Sequence, residues 1–450
     1  MRVAKFGGSS VANAAQLKKV ANIITSDPSR KFVVVSAPGK RFDEDTKVTD
    51  LLISLGKQGE QNKPYQDELK KVIDRFDEML TELELSKEIL KEVEDSLVSI
   101  MEGETVFTHK MDALKATGED TSAKILSQYL SSIGHPASYV HPQEAGIIVS
   151  DEPGKAQVLD ESYDKLYQLR EREGIQVIPG FFGYTLEGEL MAFPRGGSDI
   201  TGSIVAAGVK AELYENFTDV DSVYCVNPTI VDSPKEIFEL TYKEMRELSY
   251  AGFSVFHDEA LIPTIKAKIP VAIKNTNNPN GRGTVISAER SLTDDGPVAG
   301  IASDTGFLTI YVSKYLMNRE KGFARHLFQI LEEEDISFEH APSGIDDMSV
   351  IMREGQLTPG KEEVVLRRIK DELRVDQVSI ERDLALIMIV GEGMNRILGV
   401  TGKATQAISN ATVNIEMVNQ GSSEVSMMFG IKKDGMEAAV QSLYKEFFEA

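Results

Sequence analysis

The stretch Lys5-Phe6-Gly7-Gly8-Ser9-Ser10 constrains this chain more than any other, because it follows a strand at once and leads into a helix. Arg2 to Phe6 reads as a short strand, and Leu17, Val20, Ala21 and Ile24 form a helical stripe just beyond it. Two glycines at such a turn let backbone N–H groups come close to a ligand, and a helix N-terminus favours negative charge. Lys5 adds a full cation. The combination suits a phosphate, although a tight turn beside an exposed lysine would read the same way. A second pair, in Arg195-Gly196-Gly197-Ser198-Asp199, opens the small-residue helical stretch Ile200 to Val209. Two such turns can face each other across a phosphoryl group, with Asp199 holding nearby cations; two unrelated loops are the alternative.

Around these turns, strand and helix patterns alternate from Met1 to about Ser287. Phe32 to Val35 is a continuous apolar run, as a strand buried on both faces requires. Further runs at Ile147 to Val149, Ile175 to Ile178, Leu213 to Phe217 and Val271 to Ile273 predict an α/β domain around a largely parallel sheet, over residues 1–290. No glycine interrupts the chain between Gly59 and Gly103. Leu69, Val72, Ile73, Phe76, Met79 and Leu80, then Ile89, Val93, Leu97 and Ile100, predict a helical insertion at about 60–102. Its charges read as a solvated face without chemistry.

A linker pattern near Ser291–Pro297 precedes an internal repeat. Ile336-Ser337-Phe338-Glu339 matches Val413-Asn414-Ile415-Glu416, and Ser343 to Ser349 matches Gln420 to Ser426. Each copy predicts a small α+β unit of the split βαβ kind, at 298–380 and 381–450. Such copies behind an enzyme-like domain suggest sensing or assembly; plain duplication is the other reading.

Composition closes off several classes. Lysine plus arginine total 49 against 71 aspartate plus glutamate, and a net charge of −22 repels nucleic acid and anionic membrane. No apolar run approaches the roughly 18 residues of a membrane span. Cys225 is the only cysteine, so no internal disulfide forms, and a cytoplasmic location is expected with no signal-like apolar segment at the start. The six histidines form no close-spaced metal set, so no protein-held metal is expected. Gly391-Glu392-Gly393 fails as a dinucleotide fingerprint because Arg396 stands where the third glycine belongs. Gly39-Lys40 and Gly402-Lys403 lack the rest of a P-loop.

With both glycine turns and the repeat in view, the chain resembles the aspartate kinases, members of the amino-acid kinase superfamily that carry regulatory ACT units. Lys5 to Ser10 resembles that family's opening signature, and Ser36 to Thr49 its second loop, longer here. Gly118-Glu119 resembles the third element, and Phe181 with Arg195 to Asp199 the fourth. Thr218-Asp219-Val220 with Tyr224 resembles the nucleotide-binding strand end, and Asn419 to Glu424 the second ACT signature. The resemblance implies an amino-acid kinase fold, a mainly parallel sheet between helices, followed by two ferredoxin-like ACT domains. It also implies that the C-terminal end completes the first of these.

The implied activity is ATP-dependent phosphorylation of the L-aspartate side chain, feeding lysine, threonine and methionine synthesis. Lys5 and Asp199 take the catalytic roles the resemblance implies. Gly7, Gly8, Ser9, Thr218, Asp219 and Tyr224 join Lys5 around ATP, whose phosphates carry Mg²⁺. Ser36, Thr49, Glu119, Phe181, Arg195 and Ser198 form the aspartate pocket, Glu119 taking the ammonium and Arg195 the α-carboxylate. Thr229 and Ser254 stand where relatives often carry cations, with Lys274 and Arg282 as replacements. Met317, Phe323, Ala324, Ser337, Phe338, Glu339 and Asp347 match positions that contact an effector, lysine and/or threonine. A homodimer through the ACT units is implied, or a tetramer. A sister kinase for another acceptor, or a non-catalytic amino-acid sensor, remains the alternative.

Overall fold

The computed structural model describes residues 1–253, 258–291, 296–421 and 425–449. They divide into two compact units. The first comprises Met1–Val223, Glu236–Met245 and Ser254–Arg290; the second comprises Tyr224–Lys235, Arg246–Phe253 and Ser291–Ala450.

An eight-stranded sheet organises the first unit. Its strands are β1 (Arg2–Phe6), β2 (Arg30–Val35), β3 (Ala137–Tyr139), β4 (Ile175–Pro179), β5 (Leu213–Thr218), β6 (Glu239–Thr241), β7 (Val271–Asn275) and β8 (Thr284–Ser287). The order across the sheet is β6-β8-β7-β5-β1-β2-β4-β3. All neighbours are parallel except β7 and β8. The continuous apolar run of β2 is fully buried from Phe32 to Val35, which is why it sits inside the sheet. Alternation along β1 sends Ala4 and Phe6 into a core shared with helices α1 (Ala14–Thr25), α2 (Val48–Glu60), α3 (Gln66–Glu82), α4 (Glu88–Glu102) and α5 (Phe107–Ser132). Lys5 therefore points to the other face, where α6 (Gly197–Gly208) packs.

Glycine-free residues 60–102 fold as α3 and α4, with Leu69, Val72, Phe76, Met79, Val93 and Leu97 buried at helical spacing. Across β1, Arg30 of β2 and Glu215 of β5 form a buried two-pronged ion pair, Nε to Oε2 at 2.7 Å and NH2 to Oε1 at 2.9 Å. Both prongs are needed to offset the desolvation of two charges.

The second unit is built on one five-stranded antiparallel sheet, of β9 (Gly300–Ser313), β10 (Asp347–Arg353), β11 (Gln377–Val390), β12 (Met417–Gln420) and β13 (Ser426–Lys432), in the order β10-β9-β11-β13-β12. Helices α7 (Phe323–Glu333) and α8 (Pro359–Leu373) serve the first repeat, α9 (Val400–Asn410) and α10 (Met436–Tyr444) the second. The expected completion of one copy by the C-terminal end is corrected here. The first copy is contiguous: its core runs from Leu308 to Val375 and takes nothing from the C-terminal helix, which packs on α9. The second copy is completed from upstream, because Gly300 to Thr305 pairs antiparallel with Ala385 to Val390. Residues 298–306 thus stand with the second copy. Gly306, at φ +82, marks the register shift where β9 passes from one copy to the other. Tyr224–Lys235 also joins this unit, where the Ile301 N–H donates to the Cys225 carbonyl at 2.7 Å. Among the described residues no helix is long and apolar enough to cross a membrane.

Candidate active site

Parallel strands end at one edge of the first sheet, and ligands of open α/β sheets bind beyond the carboxyl ends of such strands. The loops leaving β1, β2, β4 and β5 and the N-terminus of α6 there enclose a cavity of 970 Å³. It is lined by Lys5, Gly8, Ser9, Ser36, Thr49, Glu119, Phe181, Arg195, Ser198, Asp199 and Asp219 together. Residues more than two hundred positions apart thus meet in one chamber.

Lys5 is only 6% exposed, and its Nζ lies 2.6 Å from Asp199 Oδ1. Asn216 Nδ2 donates to the same oxygen at 2.6 Å. Strand register explains the trio: Lys5 and Asn216 are paired neighbours on β1 and β5, facing the first turn of α6. Sequence reasoning missed Asn216. The available signal was the polar pair Glu215-Asn216 inside a strand flanked by Tyr214 and Phe217.

The two glycine turns reach the cavity by different means. Gly7 is not in its lining, and its N–H donates to the Phe217 carbonyl at 3.0 Å, which corrects its expected role as a phosphate donor. Gly8 lies so close to the next loop that an added Cβ would stand 3.0 Å from the Ala37 carbonyl oxygen. In the other turn Gly196 caps α6 with φ +81, a backbone region costly for other residues. A Cβ on Gly197 would come within 2.7 Å of the Phe181 ring. Phe181 itself holds φ +80, fixed by its N–H bond to Thr201 Oγ1 at 2.9 Å and by the Phe193 N–H on its carbonyl at 2.8 Å. Strain of this kind collects at ligand sites.

Glu119, on α5, is buried, and burial pushes its carboxyl up to about 8. The Ala37 backbone, the Ser198 hydroxyl and the Lys5 charge oppose that shift without cancelling it. Its Oε2 is buried with no hydrogen-bond partner among the described residues. Arg195 is the opposite case: it is exposed, and no described residue bonds to its guanidinium.

Other expected residues lie elsewhere. Thr218 and Tyr224 do not line the cavity. Thr218 donates to Asp219 at 3.1 Å, and Tyr224 belongs to the second unit. Lys274 reaches the Pro279 carbonyl at 3.3 Å and Arg282 stacks over Phe238 at 4.0 Å, so neither replaces a cation at the cavity. Thr229 bonds to the side chain of Asn227. Ser254 lies outside the described residues, as do residues 422–424 of the second ACT signature. Of the effector set, Met317 and Phe323 are buried in the core of the first copy, with Ala324 packed against it. Phe338 stacks on Phe328, and Ser337 bonds to Gln356. Glu339 is engaged by the Tyr250 hydroxyl and by Arg353 at 3.7 Å, so it does not stand open for an ammonium. Asp347 alone of the set lines a 600 Å³ cavity against the sheet.

A nearly buried lysine paired with an aspartate, a buried carboxyl with one oxygen left without a described partner and a guanidinium bonded to no described residue gather around a helix N-terminus, an arrangement that suits phosphoryl transfer. Comparison with known proteins agrees: residues 1–275 match the amino acid kinase family and residues 387–447 match the ACT domain. Aspartokinase 3 of Bacillus subtilis is 56% identical over 449 residues, covering 100% of this chain and 99% of that one. The crystal structure of Clostridium acetobutylicum aspartate kinase superposes with a TM-score of 0.87 at 38% identity, covering 99% of this chain and 100% of that chain. Escherichia coli aspartokinase III, crystallised with aspartate and ADP, shares the fold at a TM-score of 0.82 and 23% identity, with both chains covered in full at 100%. The chain belongs to the aspartokinases.

Proposed function

We propose that the chain transfers the γ-phosphoryl group of ATP to the side-chain carboxylate of L-aspartate, giving 4-phospho-L-aspartate under feedback through its ACT units. The Lys5–Asp199 pair inside the 970 Å³ cavity carries this reading. The acceptor is already an anion at neutral pH, so no general base is needed. Catalysis reduces to holding two anions together and neutralising charge in an in-line transition state. Asp199 keeps Lys5 oriented at the cavity wall, where a nearly buried charge acts strongly on the transferring group. Arg195 would grip the α-carboxylate as a two-pronged fork and Glu119 the α-ammonium, with Ser36, Thr49, Phe181 and Ser198 completing the aspartate pocket. The N-terminus of α6, Gly8 and Ser9 offer backbone donors to the phosphates, with Asp219 on the nucleotide side.

The residues present fit a Mg²⁺ carried in on the nucleotide, since Asp199 is committed to Lys5 and Asn216 while Asp219 lines the cavity. When bound, the ion offsets charge on the phosphates. Lysine and/or threonine as effector, a homodimer or tetramer through the ACT units and a cytoplasmic location belong to the same proposal.

The test is hydroxylamine trapping of the acyl phosphate with ATP, Mg²⁺ and each acceptor in turn. Hydroxamate with aspartate alone is the expected result. Hydroxamate with another acceptor would reassign the substrate, and none with any would leave a sensor.

A further inference from the structure

Two loops of the cavity are tied together by a residue that is not in the cavity's lining. Arg75 stands on α3, in the helical insertion, and is 5% exposed. Its NH2 donates to the Gly39 carbonyl at 2.8 Å and to the Ala12 carbonyl at 3.2 Å, and its NH1 donates to Asp45 Oδ2 at 2.7 Å. Ala12 caps the short turn Gly8–Val11, while Gly39 and Asp45 belong to the loop after β2. Gly39 in turn gives its N–H to the Gly8 carbonyl at 2.9 Å, and a Cβ there would lie 2.7 Å from the Gly8 carbonyl carbon. Asp45 also receives the Arg41 N–H at 2.9 Å and its Nε at 2.8 Å, and Arg41 NH1 reaches Glu78, one turn along α3 from Arg75, at 2.5 Å.

A buried cation is a poor choice for stability alone, since an apolar side chain of similar size often serves as well or better. Arg75 Nε even remains buried without a partner among the described residues. What a guanidinium does supply is a rigid planar fork that bonds in several directions at once. Here those directions lead to the turn after β1 and the loop after β2, which line the cavity through Gly8, Ser9 and residues 36–43.

We propose that Arg75 is a positioning residue for phosphoryl transfer, locking the Gly8 turn and the Gly39–Asp45 loop into one arrangement around the cavity. The helical insertion thereby takes part in catalysis from behind the site. This inference rests on the phosphotransfer reading above.

The experiment compares Arg75→Lys, Arg75→Met and Asp45→Asn with wild type, by steady-state kinetics for aspartate and ATP and by hydrogen exchange. Lys71→Ala, an exposed position on the same helix, is the control. Loosening the two loops is expected to lower kcat by about 100-fold, the scale of a 1 Å misplacement, with much smaller changes in either KM. Exchange at residues 8–12 and 39–45 rises about tenfold on the local-opening scale while the sheet amides stay protected. Lysine should recover only part of kcat, and Lys71→Ala should change nothing. A folded Arg75→Met enzyme that keeps wild-type kcat overturns the proposal, as does lost activity with unchanged exchange in both loops. Should both Arg75 variants fail to fold, Asp45→Asn decides by the same two readouts. If wild type makes no hydroxamate, the phosphotransfer reading falls by itself, and the exchange arm still reports on the lock.

Discussion

The two glycine turns share one sequence signature, a cation followed by a glycine pair at a helix start, yet they are built on opposite physics. At the first, glycine supplies space: Gly8 and Gly39 let two backbones touch, and Lys5 is buried and paired. At the second, glycine supplies conformation: Gly196 sits at φ +81, and Arg195 stays exposed with its guanidinium bonded to no described residue. A cation locked in place beforehand suits a transition state, whereas a free one suits capture of an incoming carboxylate. The signature alone does not reveal which is which.

Four experiments can break that contrast. Lys5→Ala should lower kcat by the equivalent of about 2–4 kcal/mol and raise the KM for aspartate far less; unchanged turnover would remove Lys5 from the chemistry. Arg195→Lys should do the reverse, weakening aspartate by about 1.5–3 kcal/mol because a point charge cannot replace a fork; a kcat effect of equal size would erase the distinction. The glycines come next. Gly8→Ala should cost about 1–3 kcal/mol through overpacking, and asparagine there should be worse. Gly196→Ala should cost about 1–2 kcal/mol through backbone strain, and asparagine, which tolerates that region, should recover part of it. Thermal unfolding and kcat/KM for ATP would separate the two patterns.

The smallest effect concerns Glu119. With its carboxyl at about 8 in the free protein, an incoming ammonium must shift it to the charged form. The KM for aspartate should therefore fall as pH rises toward 8 and level off above it, and Glu119→Gln should flatten the profile. The same shift has a stability sign. A carboxyl whose pKa is raised on folding contributes stability that is complete below the unfolded value near 4.5 and lost as pH rises through about 8. Wild type should thus lose stability between pH 5 and 8 relative to Glu119→Gln, as unfolding midpoints would show.

Much of this was legible in the sequence where burial and periodicity coincide. The apolar run at Phe32–Val35 is a strand because both of its faces are covered, and the stripe through Leu69, Val72 and Phe76 is a buried helix face. Polar residues inside such stripes were harder to place. Asn216 reads as a blemish in a strand until the register sets it beside Lys5. Arg75 reads as one more charge of a solvated helix, because pattern counting assigns charge to water and cannot see two carbonyls and a carboxylate waiting inside. Gly39 fails the P-loop template, and what the sequence does not show is its close contact with Gly8. The repeat was visible from Ile336 onward, but the fourteen residues of β9 carry no mark except Gly306 to show that they serve both copies.

That shared strand makes the regulatory repeats inseparable by any single cut of the chain. Removing everything before Phe307 would strip the later repeat of its neighbour along Ala385 to Val390, even though its own segment remained whole. Pairing Thr309 with Glu381 in the earlier repeat holds Thr305 beside Ala385 on the same two strands, so the later repeat's loop is already closed wherever the earlier one is folded.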